Sequence, residues 1–524
     1  MRDDGNRAGC SPAAAMLSGT RSGEIVTAPG VAPRRGDSRR PEEYLRAHAG
    51  RFLRELQTLV SFPSVSGEPR RAGDVRRCAE WLAGHLRHIG MPAVEVVATA
   101  GHPIVFARGP QAPGRPTLLV YGHYDVQPAD PLGEWRTPPF TPSVRGPYLY
   151  GRGACDDKGQ LFAHVKALEI LLAGLPRPPR SPWSPRLPRS PRLPVNVKCL
   201  FEGEEEIGSP HLAEFLRRHR GALQADAAVM SDTRMLGRDR PALTYALRGG
   251  LGFELEVMGP RHDVHSGNFG GAVANPLQAL CAIVAGLEGP GGRIAVPGLY
   301  DRVRRWSATE RRRMAASGPS DAAILADAGA DRGRGESGYS LYESVTLRPA
   351  LTVNGLLGGY QGAGGKGVIP ARAAAKLSFR LVPDQEPEEI ERLVRRQVER
   401  VTPPGVRVRL TARLHARPAL LDRAAPVMRA AAAAYRRGFG AAPVLLRSGG
   451  TIPVVSLLQE ILGIPTALMG FALPDDRIHA PNERFYLPNF YRGILTCVAF
   501  MDELARRRAP RGATRPRPPD WAAP

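Results

Sequence analysis

Three apolar, β-rich runs in this chain each break off into a loop that carries carboxylates or an imidazole. Residues 117–121 pass into Gly122-His123-Tyr124-Asp125, residues 195–201 into Glu202-Gly203-Glu204-Glu205-Glu206, and residues 227–230 into Ser231-Asp232-Thr233. Two further clusters have the same character: Asp156-Asp157-Lys158-Gly159, which opens a helical pattern, and His479-Ala480-Pro481-Asn482-Glu483 near the end. In an α/β sheet the carboxyl ends of the strands form the edge where ligands bind. Five loops of this kind therefore predict one sheet whose strand ends converge on a polar site.

The rest of the pattern agrees with such a sheet. Helices are expected over 41–62, 73–89 and 160–174, with strands at 93–97, 104–106, 117–121, 195–201 and 227–230 between and after them. Helix and strand in alternation predict an α/β domain with helices flanking the sheet. From about 247 the pattern becomes a strand at 253–258, a helix at 275–287, a long irregular region, a strand at 374–382, a helix at 387–401 and a strand at 406–412. That order predicts a small α+β layer, of ferredoxin-like type, inserted into the first domain. The α/β pattern then resumes with 426–438, 443–446, 454–462, 466–471 and 489–506. The expected organisation is a tail over 1–40, a first catalytic part over 41–246, an inserted domain over 247–415, a second catalytic part over 416–505 and a tail over 506–524. A Pro- and Arg-rich stretch, 176–194, reads as a surface insertion within the first part.

Charge bears on function only after it is located. Of the formal +22, residues 1–40, 176–194 and 506–524 contribute +3, +5 and +5. These segments are rich in Pro, Ala and Ser and lack apolar periodicity, so the basic excess sits mostly on stretches not expected to fold. Five Lys against 67 Arg is a composition bias across the whole chain. No nucleic-acid partner is expected. The six cysteines form no C-x-x-C pair, no apolar run approaches the roughly 18 residues of a membrane span, and the apolar run 13–17 is too short and broken for a signal-peptide core. A reducing cytoplasm and no membrane partner are the corresponding expectations.

The clusters themselves suggest metal chemistry. Two adjacent aspartates repel, and burying both is costly unless a cation or hydrogen-bond donors offset them. A helix N-cap uses only one. Histidine and carboxylate ligands without thiolate suit zinc or manganese, and a carboxylate able to bridge suits a two-metal hydrolase. Taken alone, each cluster also has a plainer explanation: a surface His-Asp pair, a solvated acidic loop, or a small packed thiol at Cys155.

In their wording and order, Gly122-His123-Tyr124-Asp125-Val126-Gln127-Pro128, the string Gly151 to Gly159, Glu202 to Ser209, and His262-Asp263-Val264-His265-Ser266-Gly267 resemble the metallopeptidase M20 family of carnosinase and glutamate carboxypeptidase type. Trp135-Arg136-Thr137-Pro138-Pro139-Phe140 is most similar to its dipeptidase branch. The resemblance covers about 41–505 apart from the insertion. It implies one metal held by His123 and Asp232, a second by Glu206 and His479, and Asp156 bridging both. It further implies that Asp125 orients His123, that Glu205 takes a proton from the attacking water, and that the Asp156-Asp157 peptide is cis. For the inserted domain it implies a lid and homodimer interface, with His265 polarising the scissile carbonyl in the neighbouring subunit. Arg380 is implied to anchor a substrate carboxylate, and Arg447, Gly450 and Thr451 to line the pocket.

Two departures bear on substrate choice. Gly367 stands where the dipeptidases usually carry a hydroxyl residue, and Ser448 replaces an acid often found there. The run Gly362 to Gly367 is no phosphate loop, because Tyr360 takes the first Gly position and no Ser or Thr follows Lys366. The expected activity is therefore a two-metal dipeptidase for short peptides with a free C-terminal carboxylate. The alternatives are an N-acyl amino-acid deacylase or carboxypeptidase on the same site, an inactive binding protein, and a nucleic-acid binder using the Arg-rich segments. Deleting 1–40, 176–194 and 506–524 is expected to leave amide hydrolysis largely intact; its abolition in a folded deletion variant would favour the last alternative.

Overall fold

The computed structural model describes residues 41–174 and 193–507. The Pro- and Arg-rich stretch and the two tails noted above lie outside the described residues, apart from 193–194 and 506–507. By internal contacts the chain divides into two compact units, the first drawn from 1–243, 422–444 and 461–524 and the second from 244–421 and 445–460. Among the described residues no helix is long and apolar enough to cross a membrane.

In the first unit six strands form a mixed sheet in the order Ala93–Val97, Ile104–Arg108, Asn196–Glu202, Thr117–His123, Ala227–Met230, Thr466–Leu468. The first two pair antiparallel, as do Ile104–Arg108 and Asn196–Glu202, while the remaining neighbours run parallel. Parallel strands covered on both faces need apolar side chains on both, and Leu118, Leu119, Val120, Tyr121, Leu200, Phe201, Val229 and Met230 are all fully buried. Because His123 pairs with Glu202 and Met230 with Leu468, the parallel strands end near one edge. Their following loops are thereby delivered to the same place.

The helix Lys158–Ala173 is buried from Lys158 to Ile170. Its buried polar groups are partnered rather than exposed: Lys158 donates to the Phe62 carbonyl, Gln160 accepts from the Phe471 N–H, His164 meets Ser231 and Lys166 pairs with Glu169. Phe162 stacks on Phe490 of the helix Leu487–Arg506, and Trp81 of Ala72–His88 packs on Phe162. At the head of the enclosed helix a Cβ on Gly159 would collide with the Ala154 carbonyl and the Phe485 ring.

The second unit contains a four-stranded antiparallel sheet ordered Ala350–Gly358, Arg372–Leu381, Gly249–Met258, Arg407–Ala416. Alternate residues of the two central strands, including Phe253, Leu255, Leu377 and Phe379, join Leu280, Ile283, Ile390 and Val394 from the helices Pro276–Gly286 and Pro387–Val401 in one core. This is the expected α+β layer, a unit separate from the α/β sheet, so the fold class follows the sequence pattern.

The long irregular region is a correction. It contains the helices Ala308–Ser317, Asp321–Ala328 and Leu341–Leu347 and the edge strand Ala350–Gly358. Of the first two helices only Glu310 and Met314 are buried, so there is no apolar periodicity to read. Their signal lies in the caps instead, since Ser307, Ser320 and Ser340 each accept a hydrogen bond from the first turn. The edge strand carries a register shift between Val353 and Gly355 and exposes Leu356 and Leu357, which breaks the two-residue alternation. The segment expected as one helix over 454–462 is α-helical only over Pro453–Leu457 before passing into a wider π-type turn.

Gly159→Ala is expected to destabilise the chain by about 1–3 kcal/mol through overpacking against rigid neighbours. Thermal melting followed by circular dichroism checks this.

Candidate metal centre

His123 is the last residue of its strand and is fully buried. Its Nε2 lies 3.1 Å from Asp156 Oδ1, and its Nδ1 lies 3.2 Å from the Asp125 main-chain carbonyl and 3.3 Å from Asp125 Oδ1. Asp125 is buried and its carboxylate also accepts hydrogen bonds from the Ser66 hydroxyl at 2.6 Å and from the backbone N–H groups of Glu205 and Glu206. One carboxylate thus fixes the imidazole face and the turn that presents two further acids.

Asp156 spans the centre. Its Oδ1 faces His123, while its Oδ2 lies 2.9 Å from His479 Nε2. The same His479 atom is 3.2 Å from Glu206 Oε2, which in turn accepts from Gln127 Nε2 at 2.9 Å. The Asp156-Asp157 peptide is cis. Two sets of side chains, His123 with Asp156 and Asp232, and Asp156 with Glu206 and His479, each offer ligand atoms within 4.8 Å of one another. Asp156 is common to both.

The acidic loop is not solvated as a whole. Glu202 is buried and accepts from Tyr121 Oη and Ser209 Oγ, and Glu204 is buried against His211 and the His102 N–H. Only Glu205 and Glu206 of the four are turned toward the Asp156 cluster, and Glu205 belongs to neither ligand set.

Burial, reinforced by like charges, sets the protonation of the site. Burial, then the neighbouring Asp156, pushes Asp232 up to about 7. Burial also raises Glu205 and Glu206; His123 opposes this for Glu205, and Asp232, Glu206 and Asp156 reinforce it. For His479 burial disfavours the imidazolium, but hydrogen bonds to Asp156 and Glu206 outweigh it and bring the ring to about 10. Burial likewise opposes the charge on His123, and Asp125 and Asp156 overcome it. Asp156 alone is held below the usual range, its burial more than offset by the two imidazoles. Crowded acids that retain protons are a donor set in want of positive charge, and its oxygen and nitrogen composition fits hard or borderline divalent cations.

A third cluster, Glu55, His85 and Glu169, has comparable spacing. It already holds a cation: Lys166 Nζ lies 2.7 Å from both His85 Nε2 and Glu169 Oε2 and pairs with Glu55. Cys155 is buried with its Sγ 3.4 Å from Asp476 Oδ2, a packed thiol.

The other residues singled out in the sequence lie in the second unit. Arg380 donates from Nη1 to Thr451 Oγ1 at 2.6 Å. The Gly450 carbonyl accepts from the Arg248 N–H. Arg447 is 3% exposed, stacked 3.7 Å from the Trp306 ring, and donates to Tyr245 Oη with Glu310 at 3.5 Å. His265 is exposed on the short strand Val264–His265, and its Nδ1 accepts from the Gly267 N–H. Sequence reasoning overlooked Gln127, Ser66 and Arg248. Gln127 was within reach, since it lies four residues after His123 in the same string; Ser66 and Arg248 are recruited by tertiary packing alone.

The sequence profile of Peptidase family M20/M25/M40 matches residues 119–182 and 185–503. The chain is 32% identical over 476 residues to the Cys-Gly metallodipeptidase dug1 of Schizosaccharomyces pombe, covering 87% of this chain and 95% of that one. It is 30% identical to the Beta-Ala-His dipeptidase of Homo sapiens, over 88% and 92% of the two chains. Among solved structures, the di-peptidase Dug1p of Saccharomyces cerevisiae superposes with a TM-score of 0.78 at 27% identity, over 89% of this chain and 98% of that one. Human carnosine dipeptidase 1 gives 0.77 at 30% identity, again over 89% and 98%.

Metal-stripped protein should lose stability as pH rises. Asp232 binds its proton more tightly folded than unfolded, so its contribution falls between its ordinary value of 3.8 and about 7; that of His479 falls between 6.5 and about 10. A bound divalent cation replaces those protons and removes the loss. The gap in Tm between loaded and stripped protein is expected to widen as pH is raised from about 5 to about 9. A gap that stays constant or narrows would contradict this.

Proposed function

The chain belongs to Peptidase family M20/M25/M40, and on that premise we propose that it is a dipeptidase, hydrolysing the amide bond of dipeptides and short peptides with a free C-terminal carboxylate. The observation that carries the proposal is Asp156, one oxygen toward His123 and the other toward His479, with Asp232 and Glu206 completing the two sets. His123 and Asp232 would hold one ion, Glu206 and His479 the other, with Asp156 shared. Such a pair of cations, which we assign as zinc with manganese as the alternative metal analysis would reveal, supplies Lewis acidity that acidifies a water and polarises the amide carbonyl.

The chain's own groups do the rest. Asp125 keeps the His123 imidazole in one orientation and one tautomer. Glu205 takes the proton of the attacking water and passes it to the leaving amine nitrogen. A carboxyl group can serve both halves of that transfer, as base and then as acid. Arg380 is assigned to the substrate carboxylate, a pairing that favours short peptides with free ends, and Gly450 and Thr451 to the wall of the pocket; Arg447, assigned to the same wall by the resemblance, is enclosed against Trp306 and Tyr245 and would reach substrate only if that ring moved. Residues 41–246 with 416–505 are assigned as the catalytic domain and 247–415 as a lid that makes a homodimer, His265 serving the neighbouring subunit's site. Five described cysteines are free, in keeping with a cytoplasmic enzyme.

Metal-reconstituted protein is expected to cleave unblocked dipeptides faster than N-acetyl or N-succinyl amino acids. Glu205→Gln should lower kcat by about 100-fold or more while two ions per chain remain bound. Faster release from the acylated amino acids would move the assignment to a deacylase, and full activity of Glu205→Gln would remove Glu205 from the mechanism.

A further inference from the structure

Glu483 is fully buried and takes no part in either set of candidate ligands. Both of its oxygens are nevertheless committed. Oε1 accepts the backbone N–H of Cys155 at 2.9 Å and of Asp156 at 3.1 Å, while Oε2 accepts the N–H of Gly153 at 2.9 Å and Arg152 Nη1 at 2.7 Å. Its own main-chain carbonyl accepts from the Gly151 N–H at 3.1 Å. One residue, through its carboxylate and its own carbonyl, therefore gathers the turn from Gly151 to Asp156.

That turn ends in the shared carboxylate, and Glu483 sits four residues after His479 on the facing loop. The His479 loop is held in an unusual backbone shape, with positive φ at Arg477, His479 and Asn482, and is closed at its base by Arg484 N–H to the Asp476 carbonyl. Nothing inside a loop of that kind dictates where it stands relative to a second loop more than 300 residues away. The pairing of Arg484–Tyr486 with Tyr148–Tyr150 brings the two together, and the Glu483 carboxylate then fixes the turn that carries Asp156 by hydrogen-bonding it.

We infer that Glu483 is a positioning residue that sets Asp156 against His479 and so tunes the affinity and geometry of the metal pair. This rests on the two-metal reading above and adds a residue that touches neither metal nor substrate. The hydrogen-bond pattern makes the role testable. Each oxygen accepts two bonds, so in Glu483→Gln whichever way the amide is turned its NH2 group faces N–H donors, and one half of the turn loses its anchor. Glu483→Asp keeps the charge and both acceptors but is one methylene short.

The test uses full-length protein stripped with a chelator and titrated with Co(II), followed by calorimetry and by the visible absorption of the bound ion, alongside thermal melting of the stripped form. Wild type is expected to take two ions. Glu483→Gln should bind them about 10- to 100-fold more weakly, with a changed Co(II) spectrum, while the stripped protein still melts cooperatively. Glu483→Asp should recover part of the affinity and of the spectrum. Wild-type affinity and spectrum in Glu483→Gln would overturn the inference. Loss of cooperative melting in both variants would overturn it too, by making Glu483 a determinant of folding. Fewer than two ions bound by wild type would instead refute the two-metal reading itself.

Discussion

Like charges forced together at the carboxyl ends of the parallel strands are the constraint on which this structure turns. Asp156, Glu205, Glu206 and Asp232 face one another where water is largely excluded, and in such a place a carboxylate either keeps a proton or finds a cation. Burial together with this crowding raises three of them, and the pull of the acids raises both imidazoles. A pair of divalent ions held by His123, Asp156, Glu206, Asp232 and His479 would resolve the crowding and would supply the Lewis acidity that amide hydrolysis needs. The cost of assembling the site and its chemical capability have one origin.

The fold meets that cost through backbone and buried polar groups. The parallel pairing that aligns His123 with Glu202 puts the ends of the strands side by side, so loops from distant parts of the sequence meet without long excursions. Asp125 then links the first of those loops to the Glu205–Glu206 turn, and Glu483 links the Asp156 turn to the His479 loop. Both carboxylates are spent on backbone N–H groups, which fixes ligand-bearing turns more firmly than side-chain contacts at the rim would. The enclosed helix Lys158–Ala173 adds a rigid base directly behind Asp156 and Asp157.

Much of this was legible in the sequence because strand ends and charged loops are local patterns. An apolar β-rich run followed by His-x-Asp or by four acids in five positions is visible without any knowledge of packing. The roles within the acidic loop were not. Glu202 and Glu204 are chemically identical to Glu205 and Glu206, yet they turn inward to Tyr121, Ser209 and His211, and only three-dimensional neighbours separate the pairs. The helices Ala308–Ser317 and Asp321–Ala328 were not legible because they bury few side chains, and apolar periodicity reports burial rather than helicity.

The sequence by itself determined the α/β and α+β character of the chain, the family resemblance and the inventory of donors, because each is written in residue type and short-range spacing. Tertiary structure alone decided that Asp156 divides its two oxygens between His123 and His479, that Gln127, Ser66 and Glu483 stand behind the ligands, and that Arg447 is sealed beneath Trp306. The reason is physical. Hydrogen-bond partners here lie tens to hundreds of residues apart along the chain, and their pairing is set by how strands align and loops close, which no local pattern of side chains encodes.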